Sequence, residues 1–598
     1  MSKKSFSETL RLPSPSGGIQ VNFCKNPFCN NFAKQPLFSS RYDNNGNPLP
    51  AGSRTDPLYK KSGSTNGESS LHCKSCNSYT AIKSNKGIRE EFERISSYLK
   101  PKILRCPNKE CVNHSQNVNE SNDGYKRNGK TRTGYQRYKC LVCGKGFSDS
   151  DNQRSQRRSE INKRLYLSIV NKVPIKRACE MLEISPETYY RKIDFLHKQA
   201  LVYVRERELK LFDQFHAKRI YLSSDRQSHF SNWTNRKDKK NCEFHAIGTA
   251  CNRSGYVFGW HFNFDKDANT QDVEKEIDES PQQKLRAMRK HARLWTKNDL
   301  AQLKSTKESS IASGSLVDDI TLQCIDESTR ANQEQSEIID NTVTLPEVGM
   351  QVHSDYTMYA HFHLLDSLLQ HVEKVHFYLD QDTGIKNAFI SAFHKRITNG
   401  SADAFYVKVE KELSVNQKER LVAQWHKEFL EFSGIQHSSA TSAIRREILQ
   451  QMLVESMRFP LNVRGSTESW LKYPKATMAE PNKLVSPLTL KINPHNKRLS
   501  SLASNASLHG IDRFFMQARR RVSMFERPFS SGTNNRRVWY GYSPYKPEMF
   551  IKLADLYRLF YNFVLKGSDG KTPAMRLGIA RGAVSIEKII YHNELRNR

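Results

Sequence analysis

The chain lacks any long hydrophobic run. No stretch reaches the roughly 18 apolar residues that would nominate a membrane helix. The amino-terminal MSKKSFSETLRLPSPSGG lacks the apolar segment of a secretory signal. Neither a membrane span nor export is expected. Acidic residues are also in short supply: 62 Asp and Glu against 94 Lys and Arg give a formal net charge of +32 over 598 residues. That imbalance argues against a cationic partner and favours a polyanion, most often nucleic acid. Hydrophobic residues make up only 37%, yet 30 Phe and 24 Tyr are enough for real cores. At roughly 100–200 residues per domain, the length fits about three to five domains.

Twelve cysteines are present, and eight form four close pairs: Cys24/Cys29, Cys73/Cys76, Cys106/Cys111 and Cys140/Cys143. The unit C-x4-C followed by C-x2-C therefore occurs twice. CKNPFCNN and CPNKECVN also share C-x-N-x-x-C-x-N, which marks an internal repeat. In a reducing compartment such pairs read as metal ligands rather than disulfides. Zn²⁺ takes four thiolates in a tetrahedron, and two tight turns with two thiolates each supply them. Two zinc ribbons are expected, each with a structural Zn²⁺. His72 and His114 are possible substitute ligands, which a complete Cys₄ set makes unnecessary. The second ribbon's loop carries Lys126, Arg127, Lys130, Arg132 and Arg137 interleaved with Tyr125, Tyr135 and Tyr138. That mixture suits phosphate and sugar contact.

Residues 161–199 follow with helical spacing at Ile161, Leu165 and Ile169. Pro174 marks the start of a second helix, and Ser185-Pro186 caps and opens a third. A short helix, a tight turn and a basic helix predict a helix-turn-helix, with Glu187, Tyr189, Arg191 and Lys192 exposed to DNA.

From about residue 215 the texture changes to strands: KRIYLSSDRQ, ending in Asp225, then CEFHAIGTAC and YVFGWHFNFD. A helix, the strand KVHFYLDQD, a helix, the strand DAFYVKVEK and a last helix through LHGIDRFFMQARRRVSMFER follow. A polar stretch at about 267–345, with a helix at PQQKLRAMRKHARLW, and a largely helical one at about 412–500 read as insertions. Without them the order is β-β-β-α-β-α-β-α, that of the RNase H-like fold. There, acids on the first and fourth strands and the last helix converge. Here these are Asp225, Asp382 and Asp512. Asp382 is preferred to Asp380 because Thr383-Gly384 lets the chain turn over a metal, and Asp512 to Glu526 because it falls in a first helical turn. Three carboxylates become favourable together when they hold Mg²⁺ or Mn²⁺ for phosphodiester chemistry. Arg519, Arg520, Arg521, Arg527, Arg536 and Arg537 form a basic cluster suited to a DNA backbone.

The fold class expected is thus multidomain α+β. Zinc ribbons span 20–85 and 100–150, a helix-turn-helix 158–200, an RNase H-like mixed α/β catalytic domain 215–565, and a tail 566–598.

NGKTRTGYQRYKCLVCGKGF and ACEMLEISPETYYRKI, with GIDRFFMQARRR, NRRVWYGYSPYKPEM and KTPAMRLG, resemble the DDE-type transposases of bacterial insertion sequences. The resemblance implies metal-dependent hydrolysis and strand transfer at element ends, with Asp225, Asp382 and Asp512 as the triad. It implies double-stranded DNA as partner, both element ends and target, a homo-oligomeric synaptic complex, and a bacterial cytoplasmic, nucleoid-associated location. The third acid departs from the family's usual Glu. The additional ribbon and the two insertions lie outside the compact pattern. Two other outcomes stay open: a non-enzymatic DNA-binding regulator derived from a transposase, and an RNase H-like nuclease or resolvase.

Overall fold

The computed structural model describes residues 12–36, 56–63, 69–100, 104–118, 123–131, 136–148, 158–232, 240–278, 286–303, 316–329, 343–410, 413–527, 529–530, 538–539 and 541–592. Two small antiparallel sheets open the chain: β1 (Tyr59–Gly63), β2 (Ser69–Cys73) and β3 (Tyr79–Ala81), then β4 (Tyr125–Lys130), β5 (Gln136–Cys140) and β6 (Gly146–Ser148). Between them runs α1 (Asn85–Ile95), capped by Ser84, whose hydroxyl accepts from the Gly87 N–H.

Three helices follow: α2 (Asn162–Val170), α3 (Ile175–Leu182) and α4 (Pro186–Gln214). Their ends obey the local signals. Pro174 precedes α3, Glu183 closes it in the left-handed region at φ 52°, and the Ser185 hydroxyl accepts from the Thr188 N–H to cap α4. The departure is length: α4 runs for 29 residues, well past 199. Its later turns pack against a C-terminal helix, α14 (Glu548–Phe563), instead of ending a separate domain.

The main body is one eight-stranded sheet. β7 (Ala217–Ser231), β8 (Cys242–Cys251) and β9 (Val257–Phe262) form an antiparallel meander. A short pair, β10 (Phe264–Asp265) and β11 (Met350–Gln351), brackets the first insertion, which holds α5 (Thr270–Asp278), α6 (Lys297–Leu303) and α7 (Leu316–Thr329). Next come α8 (Ser354–Leu368), β12 (Val372–Asp380), α9 (Thr383–Thr398) and β13 (Ala402–Val409). β7, β12 and β13 run parallel, so the central order is β9-β8-β7-β12-β13. The second insertion contains α10 (Val415–Ser433), α11 (Ser442–Arg458), β14 (Leu461–Asn462), β15 (Ser469–Lys472) and β16 (Lys483–Pro487). β16 pairs antiparallel with β13, so this segment extends the sheet instead of being only helical. The chain closes with α12 (Lys497–Ala503), α13 (His509–Arg521), α14 (Glu548–Phe563), α15 (Pro573–Leu577) and α16 (Ile586–Ile590).

Three expectations are corrected. The helix expected over 281–295 is, among its described residues, a single 3₁₀ turn at Arg286–Met288, with His291 in the left-handed region at φ 59°. Separate acids draw its cations apart: Arg286 pairs with Asp299 at 2.6 Å, His291 with Glu276 at 2.7 Å and Arg293 with Asp265 at 2.5 Å. The helix expected through LHGIDRFFMQARRRVSMFER stops at Arg521 instead of running through Arg527, because Val522, Met524 and Phe525 turn inward and are buried. Residues 566–592 are no loose tail: Ile586, Ile589 and Ile590 are buried where α16 meets α2 and α4.

The first cysteine module is joined to this body. α1 packs on α8, and a buried ion pair at 2.6 Å joins Lys83, just before α1, to Asp355 of α8. Glu91 of α1 is buried against Arg94 at 2.6 Å and Arg293 at 3.2 Å, and accepts from the Thr357 hydroxyl at 2.7 Å. The second module keeps a small core of its own: Leu104, Val118 and Tyr125 around its cysteines.

Candidate functional site

Two Cys₄ clusters form as the spacing requires: Cys24, Cys29, Cys73 and Cys76, and Cys106, Cys111, Cys140 and Cys143. In each, the four sulfurs lie within 4.8 Å of one another, and no disulfide joins them. Sγ–Sγ separations are 3.6 Å for Cys24–Cys76, 3.7 Å for Cys29–Cys73, 3.3 Å for Cys106–Cys143 and 3.7 Å for Cys111–Cys140. A tetrahedron of Zn–S bonds of about 2.3 Å has edges of about 3.8 Å. Both clusters could therefore hold structural zinc. His72 stacks on Tyr79 and His114 meets the Cys106 carbonyl, so neither is needed as a ligand.

The repeat goes deeper than its cysteines. Asn31 and Asn113 donate to Cys73 Sγ and Cys140 Sγ, both at 3.4 Å. Tyr59 and Tyr125 hydroxyls each accept from the N–H of the first cysteine, Cys24 or Cys106, at 3.1 Å. The asparagines were visible in the shared motif; the tyrosines sit at different spacings and escaped it. Such donors favour thiolate. Burial works against ionised Cys140, but the backbone N–H groups of Cys143 and Val142 and the Asn113 amide overcome it, lowering the thiol to about 6. Ser78 does the same against burial at Cys76, lowering it to about 7.

A second site lies where β7, β12 and α13 meet. Alternation along β7 sends Ser223 and Asp225 to the face covered by α13, and Ser224 and Arg226 to the face covered by α8. The contacts agree: the Ser223 hydroxyl accepts from Ile511 N–H at 3.1 Å, whereas Arg226 Nη1 donates to the Ser354 hydroxyl at 3.1 Å. β12 pairs with β7 as far as Leu379 against Ser224, so Asp225 and Asp380 are the next step on two adjacent parallel strands. Asp512 comes from the first turn of α13. Gly248, the β8 partner of Asp225, lets α13 come this close; a Cβ there would lie 2.8 Å from Ile511 and 2.9 Å from Phe515.

Asp225, Asp380, Asp512 and Glu526 line one cavity of about 850 Å³. Asp382 does not line it. Its carboxylate caps α9, accepting from Gly384 N–H at 2.7 Å and Ile385 N–H at 3.2 Å, and pairs with Arg226 at 2.9 Å. The structure separates the two candidates: Asp380 ends the strand beside Asp225 and lines the cavity, and Asp382 caps α9. Glu526 falls beyond the end of α13 and pairs with Lys172 at 2.8 Å. The carboxylates of Asp225, Asp380 and Asp512 are not all within 4.8 Å of one another, unlike the thiols of each cluster.

The cavity also carries cations. Burial and nearby Arg527 push the Arg519 guanidinium down to about 10, against the pull of Asp512 and Asp225. His229, which the sequence reading missed, lines the same cavity; burial, with Arg519 and Arg527 nearby, lowers it to about 3 and keeps it neutral. Arg520 is exposed, while Arg521 leans on Phe560 and Asn171. Arg536 and Arg537 lie outside the described residues, as do Arg132 and Tyr135.

Lys126, Arg127 and Lys130 are exposed along β4, and Arg137 along β5. On α4, Glu187 and Arg191 are exposed and paired with each other. Tyr189 and Lys192 are buried instead of exposed: Tyr189 packs in the core and Lys192 Nζ donates to Asn162 Oδ1 at 2.7 Å. They sit on the face of α4 that α2 and α3 cover. Tyr190 is the exposed aromatic there.

No helix among the described residues is long and apolar enough to cross a membrane. No protein-family model matches the chain, and the search of curated proteins finds no match.

Proposed function

We propose that the protein is a DNA transposase that binds the ends of its mobile element and carries out metal-dependent phosphodiester hydrolysis and strand transfer. The observation that carries this reading is the meeting of Asp225, Asp380 and Asp512 in one cavity, from two adjacent parallel strands and a helix. The strand order β9-β8-β7-β12-β13, antiparallel then parallel, supports an RNase H-like catalytic domain.

The donor set fits hard divalent cations, since all three ligands are carboxylates with room around them. Bound there, Mg²⁺ or Mn²⁺ would supply Lewis-acid stabilisation of the attacking and leaving oxygens. Asp225, Asp380 and Asp512 would hold it. Arg519 and Arg527 face the same space and would take the non-bridging oxygens of the phosphodiester. Ser223 and Gly248 fix α13 against β7 and so fix Asp512.

Upstream, α2, α3 and the start of α4 would act as a helix-turn-helix, with Glu187, Tyr190 and Arg191 as its outward face. The exposed cations of β4 and β5 would hold the backbone beside it. The partners in this reading are double-stranded DNA and further copies of the chain.

The test is strand cleavage and joining on labelled DNA carrying the gene's flanking sequences, with Mg²⁺ or Mn²⁺. Asp380→Asn is expected to abolish both steps and Asp382→Asn to spare them. Activity lost with Asp382→Asn and kept with Asp380→Asn overturns the carboxylate assignment. Tight specific binding without cleavage under either metal replaces the transposase with a regulator; cleavage without joining replaces it with a nuclease.

A further inference from the structure

A second cavity, of about 330 Å³, lies beside the acidic one. Four segments wall it: the β8–β9 turn at Asn252–Gly255, one face of α13 from His509 to Arg521, the end of α14 and the chain after it at Tyr561 and Leu565–Gly567, and α15 at Pro573 and Arg576. Its charged lining is of one sign: Arg253, Arg513, Arg521, Lys566 and Arg576, with His509. Asp569 holds Arg576, at 2.5 Å. No ion pair joins Arg253, Arg513, Arg521 or Lys566 to a carboxylate among the described residues. Arg253, Arg513 and Lys566 are exposed, and together they give the concavity a positive field that favours an anion. Arg253 is held in place by the Tyr221 ring, 4.2 Å from its centroid.

The two cavities share a wall. His509 and Arg513, from the first turns of α13, line both. One helix thus turns carboxylate Asp512 to one side and a cation, Arg513, to both.

We infer that the basic cavity binds the backbone of the same DNA strand, receiving phosphodiesters next to the one held at the acids. The inference rests on the transposase reading and deepens it. A strand seated at Asp225, Asp380 and Asp512 continues past His509 and Arg513 into the cations. The site offers guanidinium forks to phosphate oxygens, carries no base-reading constellation, and so grips without selecting sequence. It also offsets the repulsion that three carboxylates impose on a polyanion.

The test uses the full chain carrying Asp225→Asn, so that DNA is bound and not cut. Arg253→Gln with Lys566→Gln is compared with this parent on a duplex bearing the flanking sequences, across a salt series. We expect an affinity loss of about tenfold at moderate salt. The slope of log K against log salt should shrink by about one to two, as each lost phosphate contact removes about 0.9. Arg253→Lys with Lys566→Arg should restore most of the affinity, which a merely misfolded protein would not. Unchanged affinity and slope in a folded variant, beside a parent that binds, overturns the inference and leaves the transposase reading standing. A parent that binds no DNA overturns the transposase reading itself. Inorganic phosphate that raises the parent's melting temperature but not the variant's, with DNA binding unchanged, assigns the cavity to free phosphate and overturns the DNA strand.

Discussion

Asp380 and Asp382 are two positions apart and sit in different surroundings, one in the acidic cavity and the other at the cap of α9. Both are legible as acids at a strand end, and the Thr-Gly that follows Asp382 fits a metal turn as well as a helix cap. What separates them is the last hydrogen-bonded step between β7 and β12, at Ser224 and Leu379, and a strand register is not written in one strand's residues. A second residue-scale consequence concerns Glu468. Burial opposes its charge, but Lys386, at 2.7 Å, and the Ser466 and Thr467 hydroxyls hold it down to about 2. The unfolded carboxyl titrates near 4.5. Because the folded value is the lower one, its stabilisation is full above about pH 4.5 and is lost as pH falls toward 2. Glu468→Gln should cost on the order of 2–3 kcal/mol near neutrality and flatten the acid limb of a denaturation series. An acid limb of unchanged steepness would remove Glu468 from the account.

At the scale of elements, ends were easier to read than partners. Pro174, Ser185 and Pro186 punctuate α3 and α4 because caps are local chemistry. Tyr189 and Lys192 were misjudged because exposure on a helix depends on which face its neighbours cover. β15 and β16 were missed because a strand of four or five residues gains its identity from the sheet edge it meets, here β13. One close fit between elements is α13 on β8, set by Gly248. Gly248→Ala puts a methyl into Ile511 and Phe515. Overpacking of this kind costs about 1–3 kcal/mol, and here it also lifts Asp512 from Asp225. We expect cleavage to fall at least tenfold, with DNA affinity kept. Denaturation and cleavage measured together check this, and full activity in the variant would show that α13 has slack.

At the scale of the molecule, the twofold cysteine repeat was legible and its unequal use was not. Residues 24–76 and 106–143 share spacing, asparagines and capping tyrosines, yet among the described residues it is the first module that leans on the sheet domain, through α1 and α8. Lys25, inside the first motif, donates to the Tyr359 hydroxyl of α8, whereas the docking residues Lys83 and Glu91 lie after the cysteines, and the partners of all three lie far along the chain. Elemental analysis should find two zinc ions per chain if both clusters fill. Cys73→Ser should lower the main melting transition, since the brace behind α8 loosens. Cys140→Ser should leave that transition in place and weaken DNA binding. Calorimetry with equal depression by both variants would contradict the division.

That brace also orders events in time. Lys83 and Asp355 are 272 residues apart. At about 5–20 residues per second, a ribosome takes roughly 14–54 s to go from one to the other. The amino-terminal module is therefore finished long before its seat exists. It must keep Lys25, Lys83 and Glu91 in water until α8 emerges, and charged side chains suit that wait better than an apolar face would. An interface that ends as buried ion pairs begins as a soluble surface, which protects a half-made chain from sticking to its neighbours.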